Sequence, residues 1–243
     1  MSSESTELLG GVLIGDGLFE TCRVISGKTF LEDLHISRLR RSGEALGFQP
    51  EAIEAGVERI QGFSEHREGL WRVTVVRGGD VSVQHRPLPM RPSPRIMTLR
   101  GFYFPGDVLA EHKTLSWIRS AEGLRRARAA GYDEAIRISP EGLVGEACGA
   151  NVFLLNQQGE WITPEVDGIL PGVYRQALLE MSSSYGVRIE ERVVREEELL
   201  NARALILTSS GRLFQPAREL NGRELDQDVC GFTKVILEDC LKG

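Results

Sequence analysis

The feature that most constrains this chain is a run of short strands and small residues around one carboxylate, in residues 132–152. Ala135–Ile138 is typical of a strand, and Pro140-Glu141-Gly142 is typical of a turn that leads back towards Glu146. Small residues surround Glu146, and the apolar run Val152–Leu155 follows. Small neighbours allow another group to approach the backbone closely. Glu146 is therefore either a surface turn residue or a charge held against a bound group, and the local sequence alone favours the surface.

Composition excludes several classes of function. The 243 residues are 41% apolar, which suffices for one large core or two modest ones. The net charge of −6 argues against a nucleic-acid-binding surface. No apolar run approaches the ~20 residues of a membrane span. Residues 1–7 are acidic and polar, so we expect no targeting signal and a cytoplasmic location.

The cysteines and histidines do not form a ligand cluster. Neither a Cys-x-x-Cys pair nor a His-Glu-x-x-His motif is present. Wide spacing of this kind fits reduced thiols in a cytosolic protein better than a disulfide framework. We expect no metal site. The four cysteines are Cys22, Cys148, Cys230 and Cys240.

A proline-rich segment divides the chain. Residues 86–95 contain four prolines in ten positions, which is incompatible with a regular helix or strand. We expect a linker here, with an N-terminal domain in residues 1–95 and a C-terminal domain in residues 96–243.

Three kinds of residue are candidates for chemistry. Lys113 stands at the entry to a helix that we expect to run to Gly131, with Leu115, Ile118 and Leu124 on one side. Arg38 belongs to a basic run on a helix that opens at Glu32 or Asp33. It is either a solvated surface charge or an anion ligand, since guanidinium geometry suits phosphate oxygens.

Two further segments could bind an anion through backbone N–H groups. Gly172 precedes an amphipathic helix, whose N-terminus offers unpaired N–H groups and the positive end of the helix dipole. The small-residue loop Ser209-Ser210-Gly211 offers N–H groups as well. A lysine, an isolated carboxylate and several anion sites are the set that pyridoxal 5'-phosphate requires. The spacing alone does not establish this cofactor.

Eight short motifs, in order from Gly15 to Arg175, resemble the class IV (branched-chain-aminotransferase-like) pyridoxal-phosphate enzymes, and the resemblance as a whole runs from about Gly15 to Pro216. This family includes branched-chain aminotransferases, D-amino-acid aminotransferases and aminodeoxychorismate lyases. The motifs are Gly15-Asp16-Gly17-Leu18-Phe19-Glu20-Thr21, His35-x-x-Arg38-Leu39, Arg77-Gly78, Lys113-Thr114-Leu115-Ser116, Asp133-Glu134-Ala135, Glu146-Ala147-Cys148-Gly149-Ala150-Asn151-Val152-Phe153, Thr163-Pro164 and Leu170-Pro171-Gly172-Val173-Tyr174-Arg175.

The resemblance implies an α/β (α+β) fold of two domains, a smaller α/β N-terminal domain and a larger C-terminal domain with a barrel-like sheet. It also implies a homodimer. By position, Lys113 would carry the cofactor as a Schiff base and shuttle protons, and Glu146 would pair with the pyridine nitrogen. The implied phosphate ligands are Arg38 and the backbone N–H groups of Val173, Tyr174 and Ser210. At Tyr174 the family often has Thr, which would alter that contact.

The motifs favour a lyase within this family. Branched-chain enzymes typically have Gly at the position of Thr21, and Tyr at the position of Ile118. Lyases and D-amino-acid aminotransferases share the Lys-x-Leu pattern at Lys113, although both usually continue with Asn where this chain has Ser116. We expect a 4-amino-4-deoxychorismate lyase, with Arg77 on a substrate carboxylate and Thr21 lining the pocket. The alternative is an aminotransferase that acts on D-, small or branched-chain amino acids.

A protein without catalytic turnover is a different class of function. Such a chain could bind the cofactor alone or act as an interaction protein. Retention of both Lys113 and Glu146 argues against this class.

Overall fold

The structure is a computed structural model that describes residues 11–65, 67–88 and 92–242. The described residues fall into two compact units. The smaller unit contains residues 11–65 and 67–88 together with His112–Trp117, and the larger contains residues 92–111 and 118–242. The expected α/β class is confirmed, since helices accompany several sheets. The division at residues 95 and 96 stays a prediction, because compactness alone does not show where a domain ends.

The smaller unit is one antiparallel sheet covered by two helices. Its strands are β1 (Gly17–Ile25), β2 (Lys28–Thr29), β3 (Gly69–Val76) and β4 (Val81–Arg86), in the order β2-β1-β3-β4. Helices α1 (Glu32–Ala45) and α2 (Pro50–Gln61) pack on one face of this sheet. The other face is not covered by these helices.

Strand β1 alternates between the two faces of the sheet. Leu18, Glu20 and Cys22 are buried on the side of helices α1 and α2. Phe19 and Thr21 lie on the opposite face, because successive side chains of a strand point to opposite sides. The strand therefore places the Glu20 carboxylate under the helices and the Phe19 ring, which is 7% exposed, on the opposite face. This opposite face is called the open face because helices α1 and α2 do not cover it.

The larger unit contains two five-stranded sheets. One has the order β14-β13-β5-β6-β7, and the other has the order β10-β9-β8-β11-β12. The strands are β5 (Arg95–Arg100), β6 (Glu134–Ile138), β7 (Val144–Ala147), β8 (Asn151–Leu155), β9 (Trp161–Pro164), β10 (Ile189–Arg192), β11 (Ala204–Ser209), β12 (Leu213–Pro216), β13 (Glu219–Leu220) and β14 (Arg223–Glu224).

One apolar cluster joins the two sheets of the larger unit. Leu154 and Leu205 come from one sheet, and Ile96 and Ile136 come from the other. The helices of this unit are α3 (Ile118–Ala129), α4 (Val173–Ser182), α5 (Glu196–Leu200) and α6 (Phe232–Lys242). Helix α3 packs on β5 and β6, α4 packs on β11, and α6 packs on β12.

The expected helix from Lys113 is wrong at its start. Helix α3 begins at Ile118, and Ile118 itself is 70% exposed rather than part of an apolar face. Thr114 instead forms an isolated bridge with Leu18 of β1. The backbone of this segment is satisfied by pairing with a strand that is distant in sequence, which overrides its local preference for a helix. The expected stop at Gly131 is confirmed by its left-handed φ of 82°.

Two further features are the length of the apolar helices and the burial of the cysteines. Among the residues that the structure describes, no helix is both long and apolar enough to cross a membrane. Cys22, Cys148 and Cys230 are buried and free. Burial raises the pKa of Cys148 and of Cys230 to about 12 and the pKa of Cys22 well above its usual value. These three thiols are therefore poor nucleophiles.

Truncating a side chain in the apolar cluster that joins the two sheets should lower the stability of the protein strongly. Leu154 is fully buried, so Leu154→Ala should lower the free energy of unfolding by ~2–5 kcal/mol. Leu200→Ala is the control, because Leu200 is 40% exposed, and it should change that free energy by less than ~1 kcal/mol. Urea titration followed by circular dichroism measures both. Equal changes in unfolding free energy for the two substitutions would contradict the assignment of Leu154 to a buried apolar cluster.

Candidate active site

Lys113 lies on an extended segment of the smaller unit. Phe19 donates its backbone N–H to the carbonyl of Lys113 at 2.9 Å, and Leu115 donates to the carbonyl of Gly17 at 2.8 Å. These bonds attach the segment to β1. The Nζ atom of Lys113 lies 4.4 Å from the centroid of the Phe19 ring, whose face attracts cations. The lysine is therefore held against the open face of the sheet.

Arg72 is a second cation on the same ring, and the sequence analysis missed it. Its Cζ atom lies 3.7 Å from the Phe19 centroid. The register of β1 and β3 pairs Arg72 with Thr21, so both side chains share one face. Burial, and then the nearby charge of Arg86, lower the pKa of Arg72. The sequence does carry a signal for Arg72, because this cation interrupts the apolar residues of β3.

Arg38 is buried and paired with Glu20, so it is not a solvated surface charge. The Nε and Nη2 atoms of Arg38 donate to the two oxygens of Glu20 at 2.7 and 2.6 Å. His35 Nδ1 lies 2.8 Å from Oε2 of the same carboxylate. A paired guanidinium is held in a fixed orientation. The role of Arg38 towards phosphate stays a prediction, and Glu20 is a site residue that the sequence analysis did not single out.

The charges of this cluster depend on each other. Burial alone would raise the pKa of Glu20, but Arg38 and His35 bring that pKa well below its usual range. Burial lowers the pKa of His35, and the hydrogen bond to Glu20 opposes this shift. Glu20 is thus ionised at neutral pH while His35 is neutral. Because a carboxylate only accepts hydrogen bonds, Nδ1 of His35 carries the proton and donates it.

Arg77, the predicted carboxylate ligand, makes several contacts within the smaller unit. Its Nε atom donates to Asp16 at 2.8 Å, and its Nη1 atom donates to the carbonyls of Leu46 and Gly47 at 3.1 Å each. The guanidinium also lies 4.5 Å from the centroid of the Phe48 ring. These contacts cap the C-terminus of α1 and fix the turn before β1. The substrate role of Arg77 stays a prediction.

Glu146 of the larger unit is held by two donors. Arg137 Nη2 donates to Oε1 at 2.5 Å, and Asn151 Nδ2 donates to Oε2 at 2.9 Å. Asn151 Nδ2 also donates to the carbonyl of Leu170 at 2.8 Å. Glu146 is only 8% exposed, so the surface-turn interpretation is wrong. A buried, oriented carboxylate is a candidate partner for a cationic group.

The small residues near Glu146 make room for other parts of the same unit. A Cβ on Gly145 would lie 2.7 Å from the ring of Tyr103. A Cβ on Gly149 would lie 3.2 Å from the carboxylate of Glu134. Small size is therefore required by packing around the hairpin, whether or not a bound ring also needs the space.

The N-terminus of α4 is the first candidate anion site. Gly172 is the N-cap, and Val173 and Tyr174 are the first two helical residues. The N–H groups at a helix N-terminus have no partner within the helix and face the positive end of its dipole. A Cβ on Gly172 would collide with Oδ1 of Asn151, so Gly172 permits Asn151 to reach Glu146.

The loop that contains Ser210 is the second candidate anion site. Arg212 Nη2 donates to Glu134 at 3.3 Å, and its Nη1 atom donates to Gln215 at 2.8 Å. Both side chains of the Arg212–Glu134 pair are buried, so this pair fixes the loop. The hydroxyl of Thr208 is buried and finds no hydrogen-bond partner among the described residues. A buried polar atom of this kind fits a polar ligand nearby.

The donors have the chemical types that pyridoxal phosphate requires, and they belong to two units. Lys113, Arg38, Thr21 and Arg77 lie in the smaller unit. Glu146, Val173, Tyr174 and Ser210 lie in the larger unit. The set offers an amine, an ionisable acceptor for a ring nitrogen, and N–H groups for a phosphate.

Comparison with known proteins places these residues in a family context. A model of the amino-transferase class IV family matches residues 17–220. A candidate branched-chain-amino-acid aminotransferase of Methanocaldococcus jannaschii is 29% identical, over 94% of this chain and 87% of its own length. A hypothetical aminotransferase from Mycobacterium tuberculosis, in a PLP-bound form, is 26% identical with a TM-score of 0.81, covering 95% of this chain and 90% of that protein.

A third similar protein is a candidate 4-amino-4-deoxychorismate lyase of Legionella pneumophila. It has a TM-score of 0.83, covering 94% of this chain and 92% of that protein. At 24% identity this likeness shows the fold alone.

The Glu20 cluster predicts a strong effect of a single substitution. Glu20→Gln leaves Arg38 buried without its counter-charge and should lower the free energy of unfolding by ~3–5 kcal/mol at pH 7. Because folding depresses the pKa of Glu20, its stabilisation is present above the usual Glu pKa and is lost as pH falls towards the folded value. The difference between wild type and Glu20→Gln should therefore shrink between pH 5 and pH 3.

The surface pair of Glu54 and Arg40 provides the control for this prediction. Its two hydrogen bonds are 2.7 and 2.6 Å long, as in the buried pair, but both side chains are half-exposed. Glu54→Gln should change stability by at most ~1 kcal/mol. Urea unfolding at each pH gives the comparison. Similar losses of unfolding free energy in the two variants would show that burial does not determine how much an ion pair stabilises the protein.

Proposed function

The chain belongs to the class IV aminotransferase family of pyridoxal-phosphate-dependent enzymes, and we propose that it is a 4-amino-4-deoxychorismate lyase, which forms 4-aminobenzoate and pyruvate. The family assignment gives the cofactor and the general fold. The substrate must be argued from the residues on the open face of the smaller unit.

The cations on this face carry the proposal. Arg72, Gln84 and Arg86 share one face of β3 and β4, because Arg72 pairs with Gln84 and Arg86 lies two residues further on. Lys113 and Arg72 both contact Phe19. Aminodeoxychorismate carries one carboxylate on its cyclohexadiene ring and a second one on its enolpyruvyl group. Arg72 on the ring of Phe19, with Arg86 on the same face of the sheet, suits such a dianion better than a neutral amino acid with one carboxylate.

Each chemical task has a residue of this chain to perform it. The bound cofactor supplies an electron sink. The amine of Lys113 removes the ring proton of the substrate and returns a proton to the departing three-carbon group. The C–O bond to that group breaks, which gives pyruvate, and the ring becomes aromatic. Glu146 holds the proton of the cofactor's ring nitrogen.

Binding residues complete the proposed site. Arg38 and the N–H groups of Val173, Tyr174 and Ser210 hold the phosphate. Thr21 pairs with Arg72 across the sheet, and its hydroxyl lines the substrate face. Arg72 binds a substrate carboxylate, with Arg77 as the alternative cation.

An aminotransferase is the second candidate. It is favoured by the similar proteins from Methanocaldococcus jannaschii and Mycobacterium tuberculosis, whose names describe amino transfer. Such an enzyme would act on a D-, small or branched-chain amino acid and would need a second amino acceptor. For either activity we propose a homodimer, as the family resemblance implies, and a location in the cytoplasm, where the free thiols of Cys22, Cys148 and Cys230 stay reduced.

The cofactor assignment predicts a spectroscopic change in a lysine variant. Purified wild type with pyridoxal phosphate should absorb in the visible range. After borohydride reduction and denaturation the cofactor should stay attached to the protein as a covalent label, because Lys113 bonds it covalently. Lys113→Ala should lose this covalent label. Lys28→Ala, which alters another lysine of the smaller unit, is the control and should retain it. Equal labelling of both variants would exclude Lys113 as the attachment site.

The lyase assignment predicts products that an aminotransferase does not form. Incubation with aminodeoxychorismate should give equal amounts of 4-aminobenzoate and pyruvate without any added ketoacid. Arg72→Met should lower kcat/KM about 10–100-fold, the loss of one charge-assisted contact of ~1.5–3 kcal/mol. Arg40→Gln, on the surface of helix α1, should leave kcat/KM unchanged. Ketoacid-dependent amino transfer without 4-aminobenzoate would overturn the lyase in favour of the second candidate.

A further inference from the structure

The hydroxyl of Thr208 is a buried polar group that the packing of the larger unit does not explain. Thr208 is 2% exposed, and its Oγ1 atom finds no hydrogen-bond partner among the described residues. Thr233 is also 2% exposed, but its hydroxyl donates to the carbonyl of Cys230 at 2.8 Å. Burying a hydroxyl without a partner costs free energy, so the Thr208 hydroxyl calls for an acceptor from outside the chain.

The register of the sheet defines the surroundings of this hydroxyl. Thr208 lies on β11, where it pairs with Asn151 of β8 on one side and with Phe214 of β12 on the other. The side chains of paired residues share one face of a sheet, with their Cβ atoms about 5 Å apart. The side chain of Thr208 therefore lies between those of Asn151 and Phe214.

Both neighbours of Thr208 contact the start of helix α4. The Oδ1 atom of Asn151 lies so close to Gly172, the N-cap, that a Cβ there would collide with it. The ring of Phe214 packs edge-to-face on the ring of Tyr174 in the first helical turn, with the ring centroids 6.1 Å apart. Because its neighbours on both sides contact this turn, the hydroxyl of Thr208 lies beneath the same turn.

Thr208 also adjoins the second candidate anion site. It directly precedes Ser209 and Ser210, in the loop that the buried Arg212–Glu134 pair fixes. Thr208 is thus next to both segments whose N–H groups are assigned to the phosphate. A threonine hydroxyl rotates to direct its proton at an available acceptor, and the oxygens of a phosphate monoester are strong acceptors.

We propose that the hydroxyl of Thr208 is a further ligand of the cofactor's phosphate, to which it donates a hydrogen bond. The inference rests on the proposed phosphate site at the start of α4 and at Ser210, and it deepens that proposal by adding a side-chain donor beneath the helix. Because this hydroxyl makes no hydrogen bond to the described residues, it contributes to cofactor binding and not to the stability of the protein alone.

The first test compares two ligands of the cofactor-free enzyme, pyridoxal phosphate and pyridoxal, which lacks the phosphate. Thr208→Val removes the hydroxyl and keeps a branched side chain of similar size. It should raise the Kd of pyridoxal phosphate about 10–100-fold, the usual effect of a hydrogen bond to a charged group, and leave the Kd of pyridoxal unchanged. Thr208→Ser retains a hydroxyl and should recover most of the lost affinity. Titration followed by absorbance measures each Kd.

The second test measures the urea midpoint of the cofactor-free enzyme, and it distinguishes a ligand-binding hydroxyl from a structural one. Thr208→Val should leave this midpoint unchanged or raise it, because the hydroxyl has no partner in the described chain to lose. Thr233→Val is the matched control. It removes an equally buried hydroxyl that does have a partner, so it should lower the midpoint and leave the Kd of pyridoxal phosphate unchanged.

The outcomes separate this inference from the proposed function. An unchanged Kd of pyridoxal phosphate in Thr208→Val overturns the inference, as does an equal loss of affinity for pyridoxal, which would place the effect away from the phosphate. A lower urea midpoint or a failure to fold in Thr208→Val also overturns it, because the hydroxyl would then be structural. Wild-type enzyme that binds no pyridoxal phosphate would overturn the proposed function instead.

Discussion

The burial of the Glu20 carboxylate is the constraint on which the smaller unit depends. The alternation of β1 directs Glu20 into the core, where Arg38 and His35 from helix α1 must meet it. Distance alone does not make this pair important, since the surface pair of Arg40 and Glu54 has the same hydrogen-bond lengths. Burial does, because an exposed pair contributes ~0–1 kcal/mol whereas loss of one buried partner costs ~3–5 kcal/mol. The same alternation leaves the preceding residue, Phe19, on the open face for Lys113 and Arg72.

The larger unit also contains two buried arginine–glutamate ion pairs. Arg137 holds Glu146 across the neighbouring strands β6 and β7, and Arg212 holds Glu134 from a loop that is distant in sequence. The first pair orients the carboxylate assigned to the cofactor, and the second fixes the loop that contains Ser210. Small residues permit both arrangements, since a side chain at Gly149 would approach Glu134. A segment rich in small residues thus allows two buried arginine–glutamate pairs to form beside it.

Prediction from the sequence succeeded where a local pattern repeats and failed where distant residues decide. The strand at Ala135–Ile138 and the stop at Gly131 were predictable, because strand propensity and glycine conformation are local properties. The segment at Lys113 was mistaken for a helix, because its pairing with β1 involves residues nearly one hundred positions away. Arg72 was missed for the same reason. Its importance comes from sharing a face with Thr21, which only the register between two strands determines.

The sequence by itself determined the mixed α/β class, the family and the chemical types of the candidate residues, because these depend on the order and identity of short motifs. The tertiary structure decided which charges are buried, and therefore which of them are structural. It showed that Arg38 is paired with Glu20, that Arg77 caps a helix, and that Glu146 is a buried ion-pair partner rather than a turn residue. The physical reason is that burial and pairing depend on contacts between residues far apart in the chain, and no local pattern records them.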